Sequence, residues 1–199
     1  TDADLLIRIA DASLHQAKQA GRDRYVVGSE AASDPARLRL ELENELRAAV
    51  EREEFVVRYL PKVDLTDGRI VGAEALLRWR PATLGEIPPA QFIPLAEENN
   101  LISEIGEWVL DRVCRDHRSF ATQVRTPGRI ALNLSLKQLR QASFILQCRS
   151  VFERHGVSPD NLELEITETT LMADPKRIVS MLRELRGLGL HLSIDDFGT

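Results

Sequence analysis

Six oxygen-bearing side chains recur at one kind of position: Glu74, Asn133, Glu165, Glu168, Asp195 and Asp196 each stand in, or just beyond, a short apolar run. The last run, Leu190-His191-Leu192-Ser193-Ile194, delivers Asp195 and Asp196 side by side, followed by Phe197, Gly198 and Thr199. Adjacent carboxylates at a strand end can hold a divalent cation or move protons. Carboxylates and an amide, with no His or Cys among them, suit Mg²⁺ or Mn²⁺ and argue against Zn²⁺. Taken singly, an acid at a strand end is more often a helix cap or a surface charge, and Asn133 could simply cap a helix beginning near Leu136. Repetition over four runs is what favours the metal. Glu163, alternating with Leu162 and Leu164, reads instead as solvated or paired with a helix. Arg78, beyond Glu74 in the same run, has the rigid fork that grips phosphate oxygens; its alternative is an ion pair with Glu86 or Glu97.

These groups meet only if the runs are neighbouring strands with their ends at one rim. From residue 130 the pattern alternates: strand 130–134, helix 136–155 ending at Gly156, strand 162–166, helix 175–188, strand 190–195. Such alternation predicts parallel strands with right-handed crossovers, an open doubly wound sheet or a (β/α)8 barrel, with the active site at the carboxyl ends of the strands. Earlier, runs 55–60 and 69–79 flank Thr66-Asp67-Gly68, a hairpin-type turn, so they form an antiparallel pair. Helical periodicity follows over 90–98 and 103–120, through Phe92, Leu95, Ile105, Trp108, Val109 and Val113. Upstream, Asp34-Pro35 reads as an N-cap with proline at the first helical position, opening a helix to about Arg52 through Leu38, Leu42, Leu46 and Ala49. A first helix over 4–20 capped by Gly21, a short strand near Tyr25, and a small polar stretch at 28–32 precede it, and a domain boundary falls there.

The chain has 199 residues and a net charge of -5, with Lys and Arg scattered among acids and not gathered into a stripe. An electrostatic footprint for duplex DNA or RNA is therefore missing. Cys114 and Cys148 lie far apart in helix-like segments without CxxC spacing, which suits buried thiols in a reducing cytoplasm. No apolar run approaches the roughly 20 residues of a membrane span. The expected setting is cytoplasmic, as a free protein or as the cytoplasmic part of a membrane-anchored one.

Two resemblances add to this reading. Ala10-Asp11-Ala12-Ser13-Leu14, Ala17-Lys18 and Gly21-Arg22-Asp23-Arg24 resemble the closing helix of GGDEF (diguanylate cyclase) domains, covering residues 1–28, with 29–37 as linker. His15 replaces the family's usual tyrosine, and its signature loop is not in this sequence. Residues 38–199 resemble the N-terminal part of EAL-domain cyclic di-GMP phosphodiesterases. The matching motifs, in family order, are Glu74-Ala75-Leu76-Leu77-Arg78-Trp79; Pro89 with Phe92-Ile93-Pro94-Leu95-Ala96-Glu97; Ile105-Gly106-Glu107-Trp108-Val109-Leu110; Asn133-Leu134-Ser135; Glu165-Ile166-Thr167-Glu168; and Asp195-Asp196-Phe197-Gly198-Thr199.

The second resemblance implies a (β/α)8 TIM-barrel variant with an antiparallel first strand, incomplete over these residues. It implies that Glu74, Asn133, Glu165 and Asp195 hold a first metal, Asp196 a second, that Glu168 steadies the loop after the fifth strand, and that Arg78 contacts the substrate phosphate. The implied reaction is hydrolysis of cyclic di-GMP to linear pGpG, with two Mg²⁺ or Mn²⁺ ions clamping the phosphodiester. Two departures qualify it. Leu60, in Tyr59-Leu60-Pro61-Lys62, stands where the family has Gln and cannot hydrogen-bond a ligand, which lowers the expected activity or affinity. The sixth to eighth strands, which in the family carry a lysine, a second-metal acid and a further glutamate, are missing from residues 1–199, which alone are expected to be inactive. An open sheet would also expose apolar faces and favour association, for example as a homodimer. A non-catalytic cyclic di-GMP receptor and a purely structural module are the alternatives to the enzyme.

Overall fold

The strand at Leu162–Thr167 alternates buried Leu162, Leu164 and Ile166 with half-buried Glu163, Glu165 and Thr167. A parallel strand covered on both faces would be apolar throughout, so a polar second face marks a surface kept for chemistry. The computed structural model describes residues 7, 10, 13, 14, 25, 30–123, 128–167 and 175–195, and divides the chain into two compact units, Thr1–Ala48 and Ala49–Thr199.

In the first unit, helix α1 spans Glu30–Ala48. It begins before the expected cap at Asp34, because Glu30, Ala31 and Ala32 are strong helix formers and carry the helix back through the stretch read as a linker. It also stops short of Arg52, and turns occupy 49–53. Arg39 Nε donates to Glu43 Oε1 at 3.0 Å, an i,i+4 pair. Most of residues 1–28, with the expected helix 4–20 and the GGDEF-like tail, lie outside the described residues.

The second unit is a mixed α/β assembly on one five-stranded sheet in the order β1-β2-β3-β4-β5. Its strands are β1 (Phe55–Val63), β2 (Ile70–Trp79), β3 (Arg129–Asn133), β4 (Leu162–Thr167) and β5 (His191–Asp195). As expected from the hairpin turn, β1 pairs antiparallel with β2, from Phe55↔Trp79 to Val63↔Ile70, with an irregularity between Lys62 and Val63. All later pairings are parallel. At the start of β3, Gly128 has φ +72°, and a Cβ there would stand 2.3 Å from the Val71 carbonyl oxygen. Only glycine allows both that conformation and that approach.

Helices α2 (Pro89–Glu98), α3 (Ile102–Gln123), α4 (Leu136–Leu139), α5 (Phe144–His155) and α6 (Pro175–Gly187) connect the strands. The single helix expected over 136–155 is two. A capping box at Ser135 and Gln138 opens a short α4, Arg140 caps its C-terminal end, and α5 starts after Ser143. The interruption leaves Leu139, Phe144, Cys148, Val151 and Phe152 all in one core, so the apolar pattern ran across the break. That core also takes Ile130, Leu132, Leu162, Leu164 and Ile166 from the sheet and Leu110, Val113 and Cys114 from α3. Both cysteines are free and buried there, and burial pushes each thiol up to about 12. A second apolar focus closes the end of β2, where fully buried Trp79 lies against Phe55 and Phe92 and donates from Nε1 to Glu54 Oε2 at 3.1 Å. Among the described residues no helix is long and apolar enough to cross a membrane.

Candidate active site

With one sheet face committed to the core, strand periodicity assigns the other. Cross-strand partners share a face, so Leu60 lies beside Glu74 and Lys62 beside Gly72. Glu74 is in register with Ala131, Asn133 with Glu165, Glu165 with Ser193, and Thr167 with Asp195. The inner face therefore carries Lys62, Glu74, Asn133, Glu163, Glu165 and Asp195 on five neighbouring strands. Asp195 is exposed at the end of β5, about 7 Å along the strand from the Glu165 row.

Two direct bonds draw this set together. The Asn133 amide Nδ2 donates to Glu74 Oε1 at 3.0 Å. The Lys62 ammonium donates to Glu165 Oε1 at 2.6 Å, spanning from β1 to β4. Burial alone would lower the Lys62 pKa, but the hydrogen bond to Glu165 and the charges of Glu165, Glu163 and Glu74 outweigh it and hold it above its ordinary value. Glu163 thus faces the site with the other acids, not a helix; β4's alternation puts it there. Lys62 was not among the expected site residues. Its signal was its place two residues beyond Leu60, which puts both on the Glu74 face of an antiparallel pair.

Backbone bonds fix these positions. Leu134 N–H donates to the Glu165 carbonyl at 2.9 Å, tying the turn after β3 to β4. Ser135 then accepts from Gln138 N–H while Ser135 N–H donates to Gln138 Oε1, so the segment carrying Asn133 ends in an anchored helix start. Asn133 itself does not cap this helix; Ser135 does.

Arg78 lines a cavity of about 540 Å³ together with Glu97, Asn133, Ser135, Glu165 and Thr167, and with apolar residues that include Leu76, Leu132 and Leu164. Its Nη1 donates to the Leu77 carbonyl at 2.8 Å, and its Nε stands 3.9 Å from Glu86. Glu86 also binds Arg58 at 2.7 Å and Arg80 at 2.8 Å, and the Arg80 hydrogen bond holds its carboxyl below the usual range. The Glu86 ion pair is therefore present, and it leaves Arg78 at the cavity wall.

Among the described residues, no three of His, Cys, Asp and Glu stand close enough to hold a metal by themselves. The donors that do converge are hard oxygens, Glu74 with Asn133 and Glu165 beside them, and a positive charge already sits on Glu165. This chemistry fits Mg²⁺ or Mn²⁺. Glu168 and Asp196, the other expected site residues, lie outside the described residues.

A model of the EAL domain matches residues 43–199. The chain belongs to the EAL domain family. Relatives include the bifunctional diguanylate cyclase/cyclic di-GMP phosphodiesterase MucR of Pseudomonas aeruginosa, 41% identical over all of this chain and 29% of the relative. The cyclic di-GMP phosphodiesterase NbdA of the same organism is 39% identical over 98% of this chain and 25% of its own length. The chain thus spans under a third of either relative. Among solved structures, the PaMucR phosphodiesterase in complex with c-di-GMP is 43% identical, covering 80% of this chain and 64% of that one, with a TM-score of 0.77. The EAL enzyme Bd1971, in its cAMP and cyclic-di-GMP bound form, is 30% identical over 98% of this chain and 51% of that one, also at TM-score 0.77. These neighbours are EAL TIM-barrel domains, and the five-stranded sheet with its antiparallel first strand accords with that architecture.

Proposed function

We propose that the protein containing this EAL domain hydrolyses cyclic di-GMP to linear pGpG, with Mg²⁺ or Mn²⁺ held by Glu74, Asn133, Glu165 and Asp195, and a second ion by Asp196. The observation that carries the reading is the meeting of Glu74 and Asn133, from different strands, at 3.0 Å beside Glu165. A bound divalent cation supplies charge neutralisation on the phosphodiester and activation of water. The chain's own groups bind and orient. Arg78, at the wall of the cavity, offers a planar donor fork to a phosphate oxygen. In this reading Glu168 has the loop-steadying role that the family resemblance assigns it. In the same reading residues 1–28 close a diguanylate cyclase domain, supported by the match to bifunctional MucR over the whole chain.

The test is to incubate the full-length protein with cyclic di-GMP and Mg²⁺ or Mn²⁺ and to follow pGpG by chromatography. Metal-dependent pGpG supports the enzyme. Binding without turnover supports a second reading, a cyclic di-GMP receptor, which Leu60 favours: it is 55% exposed directly beside Glu74 and offers no hydrogen bond there. Failure to bind cyclic di-GMP rules out both.

A further inference from the structure

The Glu165 side chain is only 11% exposed, and a carboxylate withdrawn from water needs a positive partner. Lys62 provides it at 2.6 Å while remaining 38% exposed itself. The reach is built into β1 and β2. Lys62 lies opposite Gly72, which has no side chain to obstruct the stem, and the pairing irregularity falls directly after Lys62. Glu163 and Glu74 add their charges to that of Glu165 around the same ammonium. No other Lys or Arg bonds to Glu74, Glu163 or Glu165 among the described residues. Among the described residues, one flexible side chain is thus the cation paired with these acids, and it is bonded to Glu165.

We propose that Lys62 is an internal counter-ion that occupies Glu165 when no divalent cation is bound and has to release it when one binds. The inference rests on Glu74, Asn133 and Glu165 being the ligands of that cation. A carboxylate oxygen engaged by an ammonium at hydrogen-bond distance is not available to a dication, and the two positive charges repel across a few ångströms. Lysine suits the exchange. Its ammonium is compact, strongly hydrated and carried on a flexible four-carbon stem, so it can withdraw to solvent where an arginine fork would bind bidentately and hold. Ligand loading is thus a swap of one cation for another at Glu165. Affinity for the metal is set lower than the ligand set alone would give, and in the metal-free protein the enclosed carboxylate of Glu165 keeps a positive partner.

The test measures binding of Mn²⁺ alone to the full-length protein, by the paramagnetic resonance signal of free Mn²⁺, together with thermal midpoints in excess chelator. Lys62→Met is expected to bind Mn²⁺ about tenfold tighter than wild type, equivalent to about 1.4 kcal/mol, and to melt earlier than wild type in chelator. Lys62→Arg keeps the charge and is expected to gain no affinity. Should Lys62→Met not fold, Lys62→Gln removes the same charge with a polar end and carries the comparison. Unchanged or weaker Mn²⁺ binding by the charge-removing variant, with wild type binding normally, overturns the counter-ion role and leaves the metal ligands standing. No Mn²⁺ binding by wild type or variant overturns the ligand assignment and the counter-ion with it.

Discussion

A methyl group added at Gly106 should destabilise the site from the side of the helices. Gly106 is the fifth residue of α3, and a Cβ built on it would stand 1.8 Å from Gln138 Nε2 and 2.8 Å from Cδ. A glutamine tip is usually free to swing away. This one is 6% exposed, and its Oε1 accepts from Ser135 N–H at 3.1 Å to complete the capping box. Displacing it forfeits the cap, about 1 kcal/mol, and overpacks the α3–α4 contact, about 1–3 kcal/mol. Alanine's better helix propensity returns about 1 kcal/mol. Gly106→Ala should therefore cost about 1–3 kcal/mol net. In a Gln138→Ala background the obstacle is gone, and the same change should be neutral or stabilising by up to about 1 kcal/mol. The assay is a double-mutant cycle in urea, read by the tryptophan fluorescence of the unfolding transition. A coupling of about 2 kcal/mol or more is expected between these two contacting residues. Additivity within about 0.5 kcal/mol would refute the argument that Gly106 exists to admit Gln138. The consequence reaches the site because Asn133 lies two residues before Ser135. Gly106→Ala should also weaken Mn²⁺ binding, which the relaxed double variant does not restore.

His117 is 5% exposed on α3, with no partner for Nε2 among the described residues, and burial lowers its pKa from 6.5 against a raising hydrogen bond to the Gly128 backbone. The unfolded chain takes up that proton before the folded one does, so stability should fall as pH drops below 6.5 towards the folded value. His117→Gln should flatten this part of a urea-midpoint profile; an undiminished slope assigns it elsewhere. Gly128→Ala places a Cβ against the backbone of Val71 and Gly72 at positive φ, where no side chain can yield. A loss on the order of 3 kcal/mol should appear in denaturant unfolding, and a loss under about 1 kcal/mol would contradict the close approach of β2 and β3. Cys114 and Cys148 should resist a thiol reagent in the native protein and react on denaturation; rapid native labelling would contradict their burial.

The strands were legible because their two faces differ in kind. In β4 the alternation of Leu162, Leu164 and Ile166 with Glu163, Glu165 and Thr167 names both the core and the site. The hairpin was legible from Asp67-Gly68 between two β-rich runs. Helix boundaries were less so. Ala31 and Ala32 favour helix without any apolar period to announce it, and Pro35, expected to open α1, sits inside it. The break between α4 and α5 hid because Leu139 and Phe144 serve one core on either side of it; the five-residue step between them is the trace it leaves. Partners within the site lay furthest from view. That Asn133 turns to Glu74, or that Lys62 crosses the sheet to Glu165, depends on register between strands far apart in sequence. Hydrophobic pattern specifies which face a side chain takes, but not which polar neighbour it meets there.

In the proposed reading, the inner face of β2, β3 and β4 is a metal-dependent site for cyclic di-GMP. Its most direct test is the rate of pGpG formation by the full-length protein and by Glu74→Ala, each with Mn²⁺ and with chelator. Turnover that chelator and Glu74→Ala both abolish, with the thermal midpoint of the variant in chelator near that of wild type, is the predicted result. Undiminished turnover by Glu74→Ala would contradict it.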